Sequence, residues 1–97
     1  MAAKGNRHAW TQLEGHPETG KREKREVRAN RFGKQWTFQS KWKRDEEWVQ
    51  HEKPLTGDLE ELYRILYRKY QRKHISWEVL EEVEKLLNER GVTIEDF

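Results

Sequence analysis

Nine side chains of this sequence have the chemistry to bind phosphates or nucleobase edges, and all lie within residues 21–41. Lysine and arginine neutralise phosphate oxygens, whereas asparagine, glutamine and threonine exchange hydrogen bonds with base edges. The basic members at 21–25 form a cluster that could follow a phosphate backbone. The predicted binding residues are Lys21, Arg22, Arg25, Arg28, Asn30, Gln35, Thr37, Gln39 and Lys41.

The stretch Gln35–Arg44 alternates polar and aromatic side chains. Trp36, Phe38 and Trp42 share one parity, and the polar and basic residues occupy the other. Successive side chains of a strand point to opposite faces, so this pattern predicts a half-buried strand. We expect the aromatic parity to form core and the polar parity to face outward. In the opposite orientation, Trp36 and Trp42 would be stacking platforms for single-stranded bases.

Two further strands flank this one in the predicted sheet. Val27 and Ala29 alternate with polar residues, and Gly33 supplies the positive φ that a tight reversal requires. Pro54 ends the third strand because it cannot donate to a ladder. The predicted strands span residues 25–32, 35–44 and 47–52. Residues 1–24 are predicted to be a flexible basic N-terminal arm.

Two amphipathic helices are predicted after the strands, over residues 58–73 and 76–90. Asp58 and Ser76 suit the N-caps, and Gly91 suits a left-handed C-terminal position. The predicted fold is α+β: a three-stranded antiparallel β-meander followed by a two-helix hairpin packed on one sheet face. Residues 25–97 are predicted to form this single domain.

The element order of Arg25–Tyr70, three strands with a Trp-bearing middle strand and then an amphipathic helix, resembles two families. These are the sheet-based DNA-binding domains of plant AP2-type factors and the arm-binding domains of integrases. The resemblance implies a similar architecture, and function does not follow from architecture alone.

The composition excludes several classes of site. The chain has 97 residues and no cysteine, which excludes disulfides, thiolate metal sites and a cysteine nucleophile. The four histidines lack the spacing that places two metal ligands on one helix face. No phosphate loop or nucleophile elbow is present, so we expect neither an enzyme nor a cofactor or small-molecule substrate. Without a membrane span or signal sequence, a cytoplasmic location is expected.

The charge distribution is compatible with an anionic partner for the first half and equally with attraction between the two halves within one fold. Residues 1–54 hold 13 Lys/Arg and 8 Asp/Glu, whereas residues 55–97 hold 7 and 10. The expected function is therefore non-catalytic nucleic-acid binding through the polar sheet face and the arm, with DNA or RNA as partner. Arg64, Arg68 and Arg72 form a second candidate phosphate surface. The alternative is a protein–protein interaction module.

Overall fold

The chain has an α+β fold that combines a four-stranded antiparallel sheet with two helices. The computed structural model describes residues 7–33 and 35–92, and the chain divides into two compact units, Met1–Lys53 and Pro54–Phe97. The first unit is the sheet, in the meander order β1-β2-β3-β4. Its strands are β1 (Arg7–Gly15), β2 (Arg22–Phe32), β3 (Gln35–Trp42) and β4 (Val49–His51).

The prediction of three strands was wrong in number, because β1 lies in the segment expected to be an arm. β1 pairs with β2 at every position from Arg7↔Asn30 to Gly15↔Arg22. Its side chains alternate between the faces, but the inward positions are mostly polar, so the sequence carries no apolar period-two signal. The backbone ladder does not require apolar side chains. Residues 1–6 of the predicted arm lie outside the described residues.

The other strands match the predicted elements with shifted ends. β2 begins three residues before the expected 25, and β3 ends two residues before the expected 44. Phe32 pairs with Gln35, so the β2–β3 reversal is as tight as predicted, and Gly33 has a φ of 63°. Lys34, the second residue of that turn, lies outside the described residues.

The pairing register separates the side chains of the sheet into two faces. Val27, Ala29 and Phe38 are buried at 1%, 0% and 0% exposure, and they define the inner face. Trp36 and Trp42 have the parity of Phe38 and are half-buried on that face. Within β3, the predicted separation of aromatic from polar side chains is therefore confirmed, and the side of the sheet that carries the polar residues of β3 is named the outer face below.

The second unit is a pair of helices, α1 (Thr56–Gln71) and α2 (Trp77–Glu89). Their buried apolar side chains confirm the predicted amphipathic pattern, except that Tyr70, which shares the apolar spacing of α1, is 37% exposed. α1 starts two residues before the expected Asp58, whose side chain is buried in the first turn. Ser76 occupies the N-cap position of α2, as predicted, but its side chain forms no capping hydrogen bond. The buried apolar residues are Leu59, Leu62, Tyr63, Leu66, Val79, Leu80, Val83 and Leu87.

Both helices end in the same hydrogen-bond pattern. Gly91 has a φ of 78°, and the Val92 and Gly91 N–H groups donate to the carbonyls of Leu87 and Asn88. These are the two bonds of a Schellman motif, with glycine at the left-handed position as predicted. α1 ends in the same way, but there the left-handed residue is Lys73, with a φ of 63°. Neither helix is long and apolar enough to cross a membrane.

Candidate nucleic-acid interface

The outer face of the sheet carries a strong excess of positive charge. In the described strands and the residue that follows β3, six cationic residues and one acid have outward parity, whereas the inner face has two of each sign. Polar uncharged residues fill most of the remaining outward positions of β2 and β3. The outward charged residues are Arg7, Arg22, Lys24, Arg28, Lys41, Lys43 and Glu26.

A basic groove lies where β2 begins and β3 ends. It is an open concavity of about 480 Å³ with five cationic residues and one acid in its lining. Within residues 7–33 and 35–92, four of the five cations have no ion pair. Such a surface neutralises phosphates at little desolvation cost because it stays solvated. The basic groove is lined by Lys21, Arg22, Glu23, Lys24, Lys43 and Arg44.

The β1–β2 turn and the β2–β3 ladder position these cations. The turn is closed by the His16 N–H, which donates to the Lys21 carbonyl at 2.9 Å. The Lys43 N–H donates to the Lys24 carbonyl at 2.9 Å, which continues the register by one pair beyond Trp42. Lys24 and Lys43 are therefore direct cross-strand neighbours of like charge, an arrangement that destabilises a sheet.

Glu23, the single acid of the groove, is hydrogen-bonded and ion-paired to neighbouring side chains. The Thr19 hydroxyl donates to the Glu23 carboxylate at 2.8 Å, and the Arg44 guanidinium pairs with it at 2.7 Å. The hydrogen bond from Thr19, helped by the charge of Arg44, lowers the pKa of Glu23 below its ordinary value. Glu23 thus stays ionised and bound to Arg44, so the remaining four cations dominate the groove.

Trp48 lies over the middle of the outer face. The Arg28 guanidinium is 4.0 Å from the ring centroid of Trp48, and the Lys41 Nζ is 5.6 Å from it. Both are within cation–π range. Arg28 Nε also donates to the Gln39 side chain at 2.6 Å, and Gln39 donates to Gln50 at 3.3 Å. This row across three strands holds Arg28 in place under the indole.

Eight of the nine predicted binding residues lie on the outer face or at its edge. Lys21 and Arg22 line the basic groove, while Arg28 and Gln39 form the central row. Asn30 accepts from Arg7 at 2.9 Å, and Lys41 pairs with Glu26 at 2.9 Å. The two others, Gln35 and Thr37, are exposed near the β2–β3 turn.

Arg25 is the exception, because its parity places it on the inner face. It is 6% exposed, and it pairs with Glu14 at 2.9 Å and donates to the Ser40 hydroxyl at 2.9 Å. Ser40 also forms a 2.6 Å hydrogen bond with His51 Nε2. Arg25 therefore satisfies polar groups within the sheet, of which Ser40 is buried, and is not placed to contact a phosphate. The sequence did not reveal this placement, because Arg25 belongs to a basic cluster at 21–25 whose residues alternate between the two faces of the strand.

Four cationic residues and one tryptophan outside the predicted nine lie on the outer face or line the basic groove. Lys24, Lys43 and Arg44 line the basic groove, and Arg7 belongs to the strand that was missed. Trp48 lies in the predicted strand 47–52, but the face of the sheet on which it lies was not predicted. Its parity is that of Gln50, the partner of Gln39, so a correct register would have placed it on the polar side.

In the described part of the chain, no three His, Asp or Glu side chains converge as they would around a metal ion. Comparison with known proteins gave no match: no family model fits the sequence, and no curated protein or solved structure matches it significantly. The interpretation of function therefore depends on the outer face itself.

Proposed function

We propose that the protein is a non-catalytic nucleic-acid-binding module that uses the outer face of its sheet. The observation that carries this proposal is the segregation of charge, with six cations and one acid facing outward. A solvated protein surface can carry both signs of charge side by side, whereas a surface that contacts a phosphate backbone needs an excess of cations.

The dimensions of the face support a partner that is extended along the strands. β2 has 11 residues and rises by about 3.3 Å per residue, so its outward side chains span about 33 Å. The basic groove lies at one end of this length, and Asn30, Thr37 and Gln35 lie toward the other. The groove cations would hold phosphates, and the Arg28–Gln39–Gln50 row would meet base edges.

The cross-strand lysines give a second line of support. Lys24 and Lys43 are exposed neighbours of like charge in a sheet that has acidic residues elsewhere on its strands. Such a pair lowers the stability of the free protein. A bound phosphate between the two ammonium groups would remove that repulsion, so the pair favours an anionic ligand at this position.

A salt titration of binding tests the proposal. Labelled single-stranded and duplex oligonucleotides of mixed sequence would be titrated with the protein from about 50 mM to about 200 mM salt, with anisotropy as readout. We expect binding at the lowest salt and a steep loss of affinity as salt rises. Absence of binding at about 50 mM salt would exclude the proposed function.

Exposed aromatic side chains of the helical unit support a second candidate function, a protein-interaction module. Tyr70 and Trp77 are 37% and 45% exposed, with ring centroids 5.3 Å apart, and Tyr67 is 43% exposed. Tyr67 and Tyr70 lie on α1 and Trp77 begins α2, and exposed aromatic side chains are enriched at interaction surfaces. A mass that increases with protein concentration, and that Trp77→Ala returns to the monomer value, would support self-association through this unit.

A further inference from the structure

The outer face contains a small cleft beside Trp48, lined by residues other than those of the basic groove. Its volume is about 330 Å³, and it is open to solvent between the indole and strands β1 and β2. Arg7 and Arg28 contribute positive charge to its lining, Ala9 and Thr11 are small, and Glu26 is the one acid among its lining residues.

We infer that this cleft binds a single unpaired nucleobase, and that it prefers guanine. The inference rests on the proposed function and names the form of nucleic acid that the outer face takes: a single strand, or an unpaired nucleotide, whose base leaves the stack. The phosphates beside that base would be held by the surrounding arginines and by the basic groove.

The indole and the small residues provide the stacking part of the site. Aromatic side chains beside a basic track hold unstacked bases in single-strand-binding proteins because every base has a π face. Trp48 is fixed in its position by Arg28, whose guanidinium lies 4.0 Å from the ring centroid. Ala9 has outward parity next to Arg28 in the register, so no long side chain fills the adjoining space on β1.

Glu26 provides the preference among bases. A carboxylate only accepts hydrogen bonds, and its two oxygens match the adjacent N1–H and N2–H donors of guanine. Thymine and uracil present one N–H donor between two carbonyl oxygens. Those oxygens and a carboxylate repel each other because both are acceptors. Lys41 binds one oxygen of Glu26 at 2.9 Å and the Asp45 carbonyl at 2.9 Å. Lys41 thereby orients Glu26 and ties down the loop that carries Trp48.

The direct test compares three thymidine octamers with a central guanine, hypoxanthine or thymine, and a duplex of the guanine octamer. Hypoxanthine lacks the N2 amino group and otherwise matches guanine. We expect the guanine octamer to bind about 5- to 10-fold more tightly than the hypoxanthine one. We also expect it to bind more tightly than its duplex, in which the base is stacked and paired.

Variants separate the roles of the two side chains. Glu26→Gln should abolish the preference for guanine while raising affinity for the all-thymidine octamer, because Lys41 is released and a negative charge is lost. Trp48→Ala should weaken binding of the guanine octamer by roughly 5- to 100-fold, and Trp48→Phe should restore most of it. Val49→Ala is the control, because it shortens an exposed apolar side chain next to Trp48 in the chain but on the inner face, and it should change neither affinity nor base preference.

Three results would overturn the inference. They are equal affinity for the three octamers, a guanine preference that survives Glu26→Gln, and tighter binding of the duplex than of the single strand. In each of these cases nucleic acid still binds, so the proposed function stands while the base site does not. If no oligonucleotide binds at about 50 mM salt, both fail.

Discussion

Removing the two cross-strand lysines should reduce the salt dependence of nucleic-acid binding by a calculable amount. Lys21, Arg22, Lys24 and Lys43 are the groove cations without an ion pair in the described structure. Each phosphate contact to a single strand contributes about 0.7 to the slope of log affinity against log salt, so the groove contributes about 2.8. Lys24→Ala combined with Lys43→Ala should lower the slope by about 1.4.

The change in slope converts into a measurable ratio. Consider the ratio of the affinity of the unmodified protein to that of the lysine variant. With a slope difference of about 1.4, this ratio falls about 7-fold between about 50 mM and about 200 mM salt. Anisotropy titrations of one labelled single strand at four salt concentrations would measure it. Arg68→Ala combined with Arg72→Ala is the matched control, since it removes the same charge from two exposed positions, one in α1 and one at its C-cap.

The control decides between the two basic surfaces of the chain. An unchanged slope in the lysine variant, together with a reduced slope in the arginine variant, would refute the groove as the phosphate site. The phosphate contacts would then be assigned to the second candidate surface, Arg64, Arg68 and Arg72. Equal reductions in both variants would show that net charge alone matters, which also contradicts the argument from geometry.

Three further predictions concern the stability of the sheet and of α1. Lys43→Glu should raise the free energy of unfolding by up to about 1 kcal/mol in a denaturant titration, since it replaces repulsion from Lys24 by attraction, while it weakens nucleic-acid binding; a loss of stability would contradict the cross-strand placement. Arg25→Ala should cost about 2 kcal/mol in the same assay, because Ser40 loses its guanidinium donor and Glu14, which keeps its hydrogen bond from Gln12, loses its cationic partner. Binding by the folded variant should not change. Lys73→Gly should raise stability by about 0.5–1 kcal/mol, measured by thermal unfolding, because glycine adopts the left-handed conformation without a Cβ clash; a lowered midpoint would refute strain at this position.

The parts of the fold that follow from period and turn chemistry were predictable from the sequence. The amphipathic pattern of α1 and α2, the position of Ser76 at the start of α2 and the left-handed Gly91 depend on local patterns, and the structure confirms them. The tight β2–β3 reversal at Gly33 is of the same kind. Packing of the helices on the inner face of the sheet stays a prediction.

The parts that depend on pairing between distant residues were not predictable in the same way. β1 is stabilised by its ladder with β2, and its polar inward residues gave no apolar period. Arg25 was grouped with its basic neighbours because a charge cluster in sequence looks continuous, although alternate residues of a strand face opposite sides. The groove joins residues about 20 positions apart, and only the register brings Lys24 and Lys43 together.

The most direct test of the central claim is a map of the binding surface by NMR. Two-dimensional ¹H–¹⁵N spectra would be recorded during titration with a single-stranded oligonucleotide at low salt. We predict that the largest shifts fall on residues 21–28 and 39–44 and on the Trp48 indole N–H. Shifts confined to residues 56–92, with the sheet unchanged, would contradict the assignment of nucleic-acid binding to the outer face.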